Sequence, residues 1–211
     1  MFVPVVRVLC VLLLFGFVVV GTTFAQDMRV LNEGRFLIAE KKFDQALQKF
    51  DAILKSHPNH LEAKLGKMEA LGSQRKTSDV AKVAGVAKAG GSADELTLSG
   101  YNKFWKKDFP GALADFNSAT QKDANAYMAH YLAGYLNWRL IKYDQALVHL
   151  EKTVKLKPDM AEAYYILGEI YKSKGDAKKV ITYWNEYMKR IPHSGTRFDY
   201  VNNTLKKLGG Q

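Results

Sequence analysis

Gly100, Gly134 and Gly168 stand 34 residues apart, and Ala112, Ala146 and Val180 each follow them by 12. A fixed period of this length restricts the chain to units that cannot bury their apolar faces alone and must stack on their neighbours. Stepping back 66 residues, close to two periods, carries Gly100 to Gly34 and Ala112 to Ala46. The array read in this way covers residues 27–194 as one elongated architecture.

From residue 27 onward apolar residues recur at three-and-four spacing in blocks separated by short breaks such as His57-Pro58-Asn59, Lys157-Pro158-Asp159 and Ile191-Pro192-His193. That pattern predicts amphipathic helices and no strands. Proline lacks an amide donor and disfavours helix at the residue before it, so Pro58, Pro158 and Pro192 close units at matching places. Gly90-Gly91 reads as a turn.

Residues 1–25 differ from the rest: Arg7 is their single charge, and Val8 to Val20 is an apolar run. This reads as a secretory signal with Thr23-Phe24-Ala25 as a cleavage site, leaving Gln26 first. The alternative is an uncleaved membrane anchor, since the stretch from Val8 to Ala25 carries no charge and reaches the shortest spanning length. The lone cysteine, Cys10, lies within this leader, so the mature chain has neither a disulfide nor a cysteine-based metal site. An exported, cysteine-free chain points to a bacterial periplasm rather than the disulfide-rich extracellular class.

The net charge of +10 is compatible with anionic partners, but the lysines alternate with acids and form no basic run with nucleic-acid spacing. Solubility alone favours a charge away from zero. Nucleic acid is therefore excluded as an expected partner, and the membrane enters only through a retained leader.

The unit from Ala161 to Pro192 carries Tyr164, the Leu167-Gly168 pair, Tyr171, a turn glycine at Gly175, Trp184, Tyr187 and the closing proline. Residues 127–160 repeat the plan with Gly134, Ala146, Leu150 and Pro158, and residues 27–60 with Gly34, Phe43, Ala46, Phe50, Ile53 and Pro58. In residues 93–126 the marks are Gly100, Ala112, Phe116 and Ala119, with Ala124 in place of the proline. Residues 61–92 match least, with Met68 at the glycine place and a second helix of small residues. These marks resemble the tetratricopeptide repeats (TPRs). The resemblance implies an all-α, right-handed superhelical solenoid of about five antiparallel helix pairs, ending in a capping helix and tail over residues 195–211.

Close helix approach accounts for the small residues: Gly134 is expected against Ala146, where a larger side chain would force the pair apart at about 1–3 kcal/mol. Phe50, Phe116, Leu150 and Trp184 are expected to fill the space between consecutive units. A terminal helix from Thr196 to Leu208, with Phe198, Val201 and Leu205 on one face, should cover the flank of the last unit.

Catalysis leaves no signature: there is no phosphate-cradling loop, serine elbow or isolated carboxylate pair. His57, His60, His130, His149 and His193 do not fall in a metal-ligand pattern, so no metal or cofactor is expected, and an enzyme is the least supported class. The TPR resemblance implies instead that the second, fifth, ninth, twelfth and thirteenth places of each unit face a concave groove. In the third unit these are Asp94, Thr97, Tyr101, Phe104 and Trp105; in the fourth, Met128, Tyr131, Tyr135, Trp138 and Arg139; in the fifth, Glu162, Tyr165, Glu169, Lys172 and Ser173. The first two units offer Leu31, Arg35, Ile38, Glu62, Leu65 and Glu69, a mixed surface.

Aromatic and arginine side chains dominate binding hot spots. Tyr101, Phe104, Trp105, Met128, Tyr131, Tyr135, Trp138, Arg139 and Tyr165 are therefore the candidate partner-binding residues. The carboxylate clamp of some TPR cochaperones does not carry over, because Arg139 is the one groove cation of units three and four. The reading is an exported adaptor or scaffold that binds a protein or peptide segment during assembly of an envelope machine. The alternatives are a peptidoglycan- or glycan-binding module using Trp105, Tyr131 and Trp138, and a membrane-anchored scaffold facing the periplasm.

Overall fold

The computed structural model describes residues 26–85, 91–191 and 195–209. The expected leader with Cys10, together with Gly90, Pro192 and His193, lies outside the described residues. The described residues are helical throughout, with no strand, and group into two compact units that divide after Ala84. The first holds α1 (26–39), α2 (Phe43–Ser56), α3 (Leu61–Ser73) and α4 (Thr77–Ala84). The second holds α5 (Ala93–Trp105), α6 (Phe109–Lys122), α7 (Tyr127–Arg139), α8 (Tyr143–Leu156), α9 (Ala161–Ser173), α10 (Ala177–Met188) and α11 (Thr196–Lys207).

Within the second unit α5 pairs with α6, α7 with α8 and α9 with α10, and α6 and α8 each pack on the helix that follows. The first helices of the pairs, α5, α7 and α9, touch in succession. In the first unit α2 packs on α3, and α3 on α4.

The turn inside each pair has one construction. Lys41, Arg75, Lys107, Ile141 and Gly175 all sit in the left-handed region, with φ of 60°, 61°, 63°, 61° and 74°. The amide after each donates to a carbonyl five residues back, as in Lys42 N to Leu37 O at 2.8 Å, Lys142 N to Asn137 O at 2.9 Å and Asp176 N to Tyr171 O at 3.0 Å. This is the Schellman ending, which satisfies carbonyls a helix terminus would leave bare. It recurs through both units although only the fifth turn has the glycine that suits it.

Between pairs the helices stop differently. The amides of His57, Asp123 and Lys157 close α2, α6 and α8 onto Ile53, Ala119 and Thr153. Pro58 and Pro158 follow two residues past the last helical position, and Ala124 holds the equivalent turn without a proline. α5 begins with a capping box: Glu95 N donates to Ser92 Oγ at 3.2 Å, and Ser92 N to Glu95 Oε2 at 2.7 Å.

The small residues are explained by the expected close approach together with a tighter contact beside it. A Cβ added to Gly34 would come to 2.7 Å from the Phe50 ring, one on Gly100 to 2.6 Å from Phe116, and one on Gly134 to 2.6 Å from Leu150. At Gly168 it would run into the Trp184 indole. Phe50, Phe116, Leu150 and Trp184 thus lie across the glycine of their own unit, and the Ala112 and Ala146 carbonyl oxygens come next, at 3.1 and 3.3 Å. Three of these four large residues also reach the following element, as expected: Phe50 meets Gly66, Leu150 packs with Ala163 and Leu167, and Trp184 with Val201 and Leu205. Residues 61–84 exchange the sizes: Met68, fully buried, holds the glycine place, and Ala84 holds the place of the large residue. Swapping large for small across facing positions conserves volume, which packed interiors tolerate best.

α11 packs on α10. Val201 and Leu205 enter a cluster with Tyr164, Tyr171, Val180, Trp184 and Tyr187. Trp184 is fully buried, and its indole N–H donates to Tyr165 O at 3.1 Å. Burying one such ring is worth about 4–6 kcal/mol before entropy is counted.

Candidate protein-binding face

α5 and α7 present a band of aromatic rings. On α5, Tyr101 stacks on Phe104 with centroids 5.7 Å apart, and Trp105 meets Phe104 edge-on at 5.6 Å. On α7, Tyr131, Tyr135 and Trp138 follow one another at 6.3 and 5.8 Å. Phe104 meets Tyr135 at 6.1 Å and joins the two groups across the helices. Edge and offset contacts of this kind add about 0.5–1.5 kcal/mol each beyond burial.

Phe104, Trp105, Tyr131, Tyr135 and Trp138 are half-buried, with one side packed and the other open. Tyr131, Tyr135 and Trp138 rest against the cluster of Ala146, Leu150, Ala163 and Leu167. Arg139 is exposed; its guanidinium donates to Tyr135 Oη at 2.9 Å and lies 5.8 Å from that ring's centroid.

Two of the nine candidates take a different place. Tyr101 and Met128 are only 8% and 5% exposed, so they floor the band rather than line an open surface. Thr97 is likewise buried, and in the first unit so are Leu31 and Leu65. Burial thus falls at the second, fifth or ninth place according to the unit, while Tyr131 and Tyr135 at the fifth and ninth places of the fourth unit stay half-open.

Tyr165 is covered by the chain's own C-terminal helix. Arg197 Cζ lies 4.6 Å from its ring centroid, and the same guanidinium holds Glu162 at 2.6 Å. Tyr200 Oη donates to Glu169 Oε1 at 3.1 Å, and Lys172 Nζ lies 4.8 Å from the Tyr200 ring. Burial, with the Glu169 carboxylate adding to it, pushes the Tyr165 phenol up to about 12. Glu162, Tyr165, Glu169 and Lys172 are therefore engaged with α11, and the open aromatic face belongs to α5 and α7.

One pair escaped the spacing argument. His130 on α7 and His149 on α8 bring their Nδ1 atoms to 3.2 Å, where one ring donates and the other accepts. Burial lowers the pKa of both. The neighbouring His130 adds to the effect at His149, and at His130 the Ala124 carbonyl and Asp123 oppose it while Lys152 reinforces it. Nineteen residues separate the two in sequence, so only the pairing of α7 with α8 brings them together. His57 and His60 face carboxylates instead: His57 Nδ1 lies 2.9 Å from Asp27, and His60 Nδ1 lies 3.3 Å from Glu62 while capping α3. Among the described residues no group of three His, Cys, Asp or Glu side chains could hold a metal ion. No described helix is long and apolar enough to cross a membrane.

Paired antiparallel helices, a left-handed turn at each pair and, in all pairs but α3–α4, a glycine beneath a large residue define an all-α repeat solenoid among the described residues. A model of the TPR repeat matches residues 142–175, and a tetratricopeptide repeat model matches residues 161–193. Residues 142–193 therefore carry tetratricopeptide repeats, and the described helices share the all-α fold of a TPR solenoid.

Solved structures of similar fold include TTC0263, a thermophilic TPR protein of Thermus thermophilus. It is 17% identical, covers 86% of this chain and 98% of its own, and gives a TM-score of 0.58. PilW, described as a widely conserved type IV pilus biogenesis factor, is 16% identical over 87% of this chain and 86% of its own, with a TM-score of 0.58. YrrB, described as a TPR protein with an unusual peptide-binding site, is 17% identical over 84% and 90%, with a TM-score of 0.50. No curated protein matches the sequence.

Proposed function

We propose that this protein is a non-catalytic interaction scaffold that holds a segment of a partner protein on the aromatic face of α5 and α7. The observation that carries the reading is the Phe104–Tyr135 contact, which makes one band of two helices' aromatics. Phe116 and Leu150 already lie over the glycine inside each pair, so the outer rings pack with one side only and keep the other for a partner. Half-buried aromatics with a neighbouring arginine are the residue types that anchor partners. The peptide-binding site named for YrrB and the pilus-biogenesis role named for PilW are properties of those proteins, and they agree with this class of role.

The apolar leader read from the sequence supports action in the cell envelope, as an adaptor during assembly of a surface structure. In-cell photocrosslinking from position 135 or 138, with mass spectrometry of what is captured, tests the face. Tyr135→Ala with Trp138→Ala should weaken the captured partner's binding by about tenfold or more while helicity stays unchanged. A large loss of helical signal in that variant would make the two residues structural, and absence of any crosslink at both positions would move the site elsewhere.

A further inference from the structure

We propose that the segment bound on this face is acidic as well as apolar, with its carboxylates toward the turn end of α5 and α7; the proposal rests on the reading of that face as the binding site. Four cations gather at this end. Lys106 and Lys107 follow Trp105 directly, Arg139 ends α7, and Lys142 lies three residues beyond. All four are exposed. The Phe104–Tyr135 contact near the ends of both helices puts these turns side by side at the rim of the aromatic band.

The carboxylates nearest in sequence are already engaged. Asp108 accepts from Gly111 N at 3.0 Å as the cap of α6, Asp115 is held by Lys103 at 2.8 Å, and Asp144 is held by Lys174 at 2.8 Å. Among the described residues no carboxylate lies within ion-pair distance of Lys106, Lys107, Arg139 or Lys142. The cations beside the covered part of the molecule differ: Arg197 is paired with Glu162, and Lys174 with Asp144.

A cation in the last turn of a helix offsets the helix dipole, which accounts for Lys103 and Arg139. It extends to Lys106, the C-cap of α5, but does not account for Lys107 in the turn or for Lys142, which stands at the N-cap of α8 where the dipole disfavours a cation. At the opposite end α5 begins with Asp94 and Glu95. The face is thus polarised along its length, and that polarity would orient a bound segment.

Arg139 holds a groove-facing place at the end of α7 and the three lysines come from the turns beside it, so together they would act as a charged rim around an apolar centre. Rim charges act chiefly on encounter and on which partners are accepted, and their reach is about 8 Å at physiological salt.

The test is selection of a random 12-residue phage-displayed peptide library on the wild-type protein, on Lys107→Glu with Lys142→Glu, and on Tyr135→Ala with Trp138→Ala. Wild type should enrich peptides that combine aromatic or aliphatic residues with an excess of Asp and Glu. The charge-reversed protein should keep the apolar enrichment and lose or invert the acidic one. The best acidic peptide, synthesised and titrated, should bind it at least tenfold more weakly, and added salt should weaken wild-type binding. Apolar enrichment without an acid excess, or an acid excess that survives charge reversal, overturns the proposal and leaves the aromatic face standing. Enrichment unchanged in the aromatic variant, or no enrichment on wild type, overturns the face itself.

Discussion

Ile141 is the most strained residue described. A β-branched side chain at φ 61° crowds its own backbone, and this one is 72% exposed, so no packing compensates. Its place is the Schellman position that Gly175 holds in the next pair. Ile141→Gly should therefore raise stability by about 1 kcal/mol, the relief of left-handed strain less the added freedom of glycine in the unfolded chain. Urea titration of both proteins measures it, and a loss of stability would show that Ile141 makes a contact worth more than the strain. His130 and His149 are a residue-scale device of another kind. Their folded pKa values are lowered from 6.5, so below that pH the unfolded chain takes up protons that the folded chain does not. Stability is complete above about pH 6.5 and falls as the pH drops through the lowered values. The thermal midpoint should decline from pH 7.5 to 5.5 more steeply in the wild type than in H130N/H149N, and parallel curves would show that the pair does not titrate in this range.

At the scale of the element, α11 is half a repeat that continues the register. Phe198, Val201 and Leu205 stand 34 residues after Tyr164, Leu167 and Tyr171. It closes the apolar flank of α10 and lies over the face of α9. Leu205→Ala removes part of the cluster with Trp184 and Tyr187 and should cost about 2–5 kcal/mol. The near-ultraviolet signal of Trp184 and its aromatic neighbours should change with it, and an unchanged spectrum and melt would mean that α11 docks through Arg197 and Tyr200 alone. Helices and their pairing were legible in the sequence because a 34-residue period ties Gly100, Gly134 and Gly168 to fixed companions. The common turn was not, since Lys41, Arg75, Lys107 and Ile141 carry no glycine signature for a left-handed residue. The capping box at Ser92 and Glu95 was present in the sequence as a serine followed three places later by a glutamate. It marks the start of α5 independently of the period.

For the molecule as a whole, the groove places implied by the TPR resemblance, laid out along the period, located the aromatic band more surely than the exposure of each residue on it. Counting places along a unit found Phe104, Trp105, Tyr131, Tyr135 and Trp138, which are half-open, but also Tyr101 and Met128, which are buried. Periodicity fixes direction around a helix and says nothing of how far the neighbouring helix encroaches. Nor could it show that Tyr165, equivalent to Tyr131 by one period, would be roofed by Arg197, because the roof comes from a helix that carries no repeat glycine. The exchange of sizes between Met68 and Ala84 has a further consequence for how such a chain can change. A segment spanning both positions can be duplicated or recombined as a block and remain self-consistent. A crossover falling between α3 and α4 would join a methionine to a phenylalanine or a glycine to an alanine, giving one overfilled or one hollow pair. The boundary at which this protein can be cut and rejoined is therefore set between helix pairs and not within them.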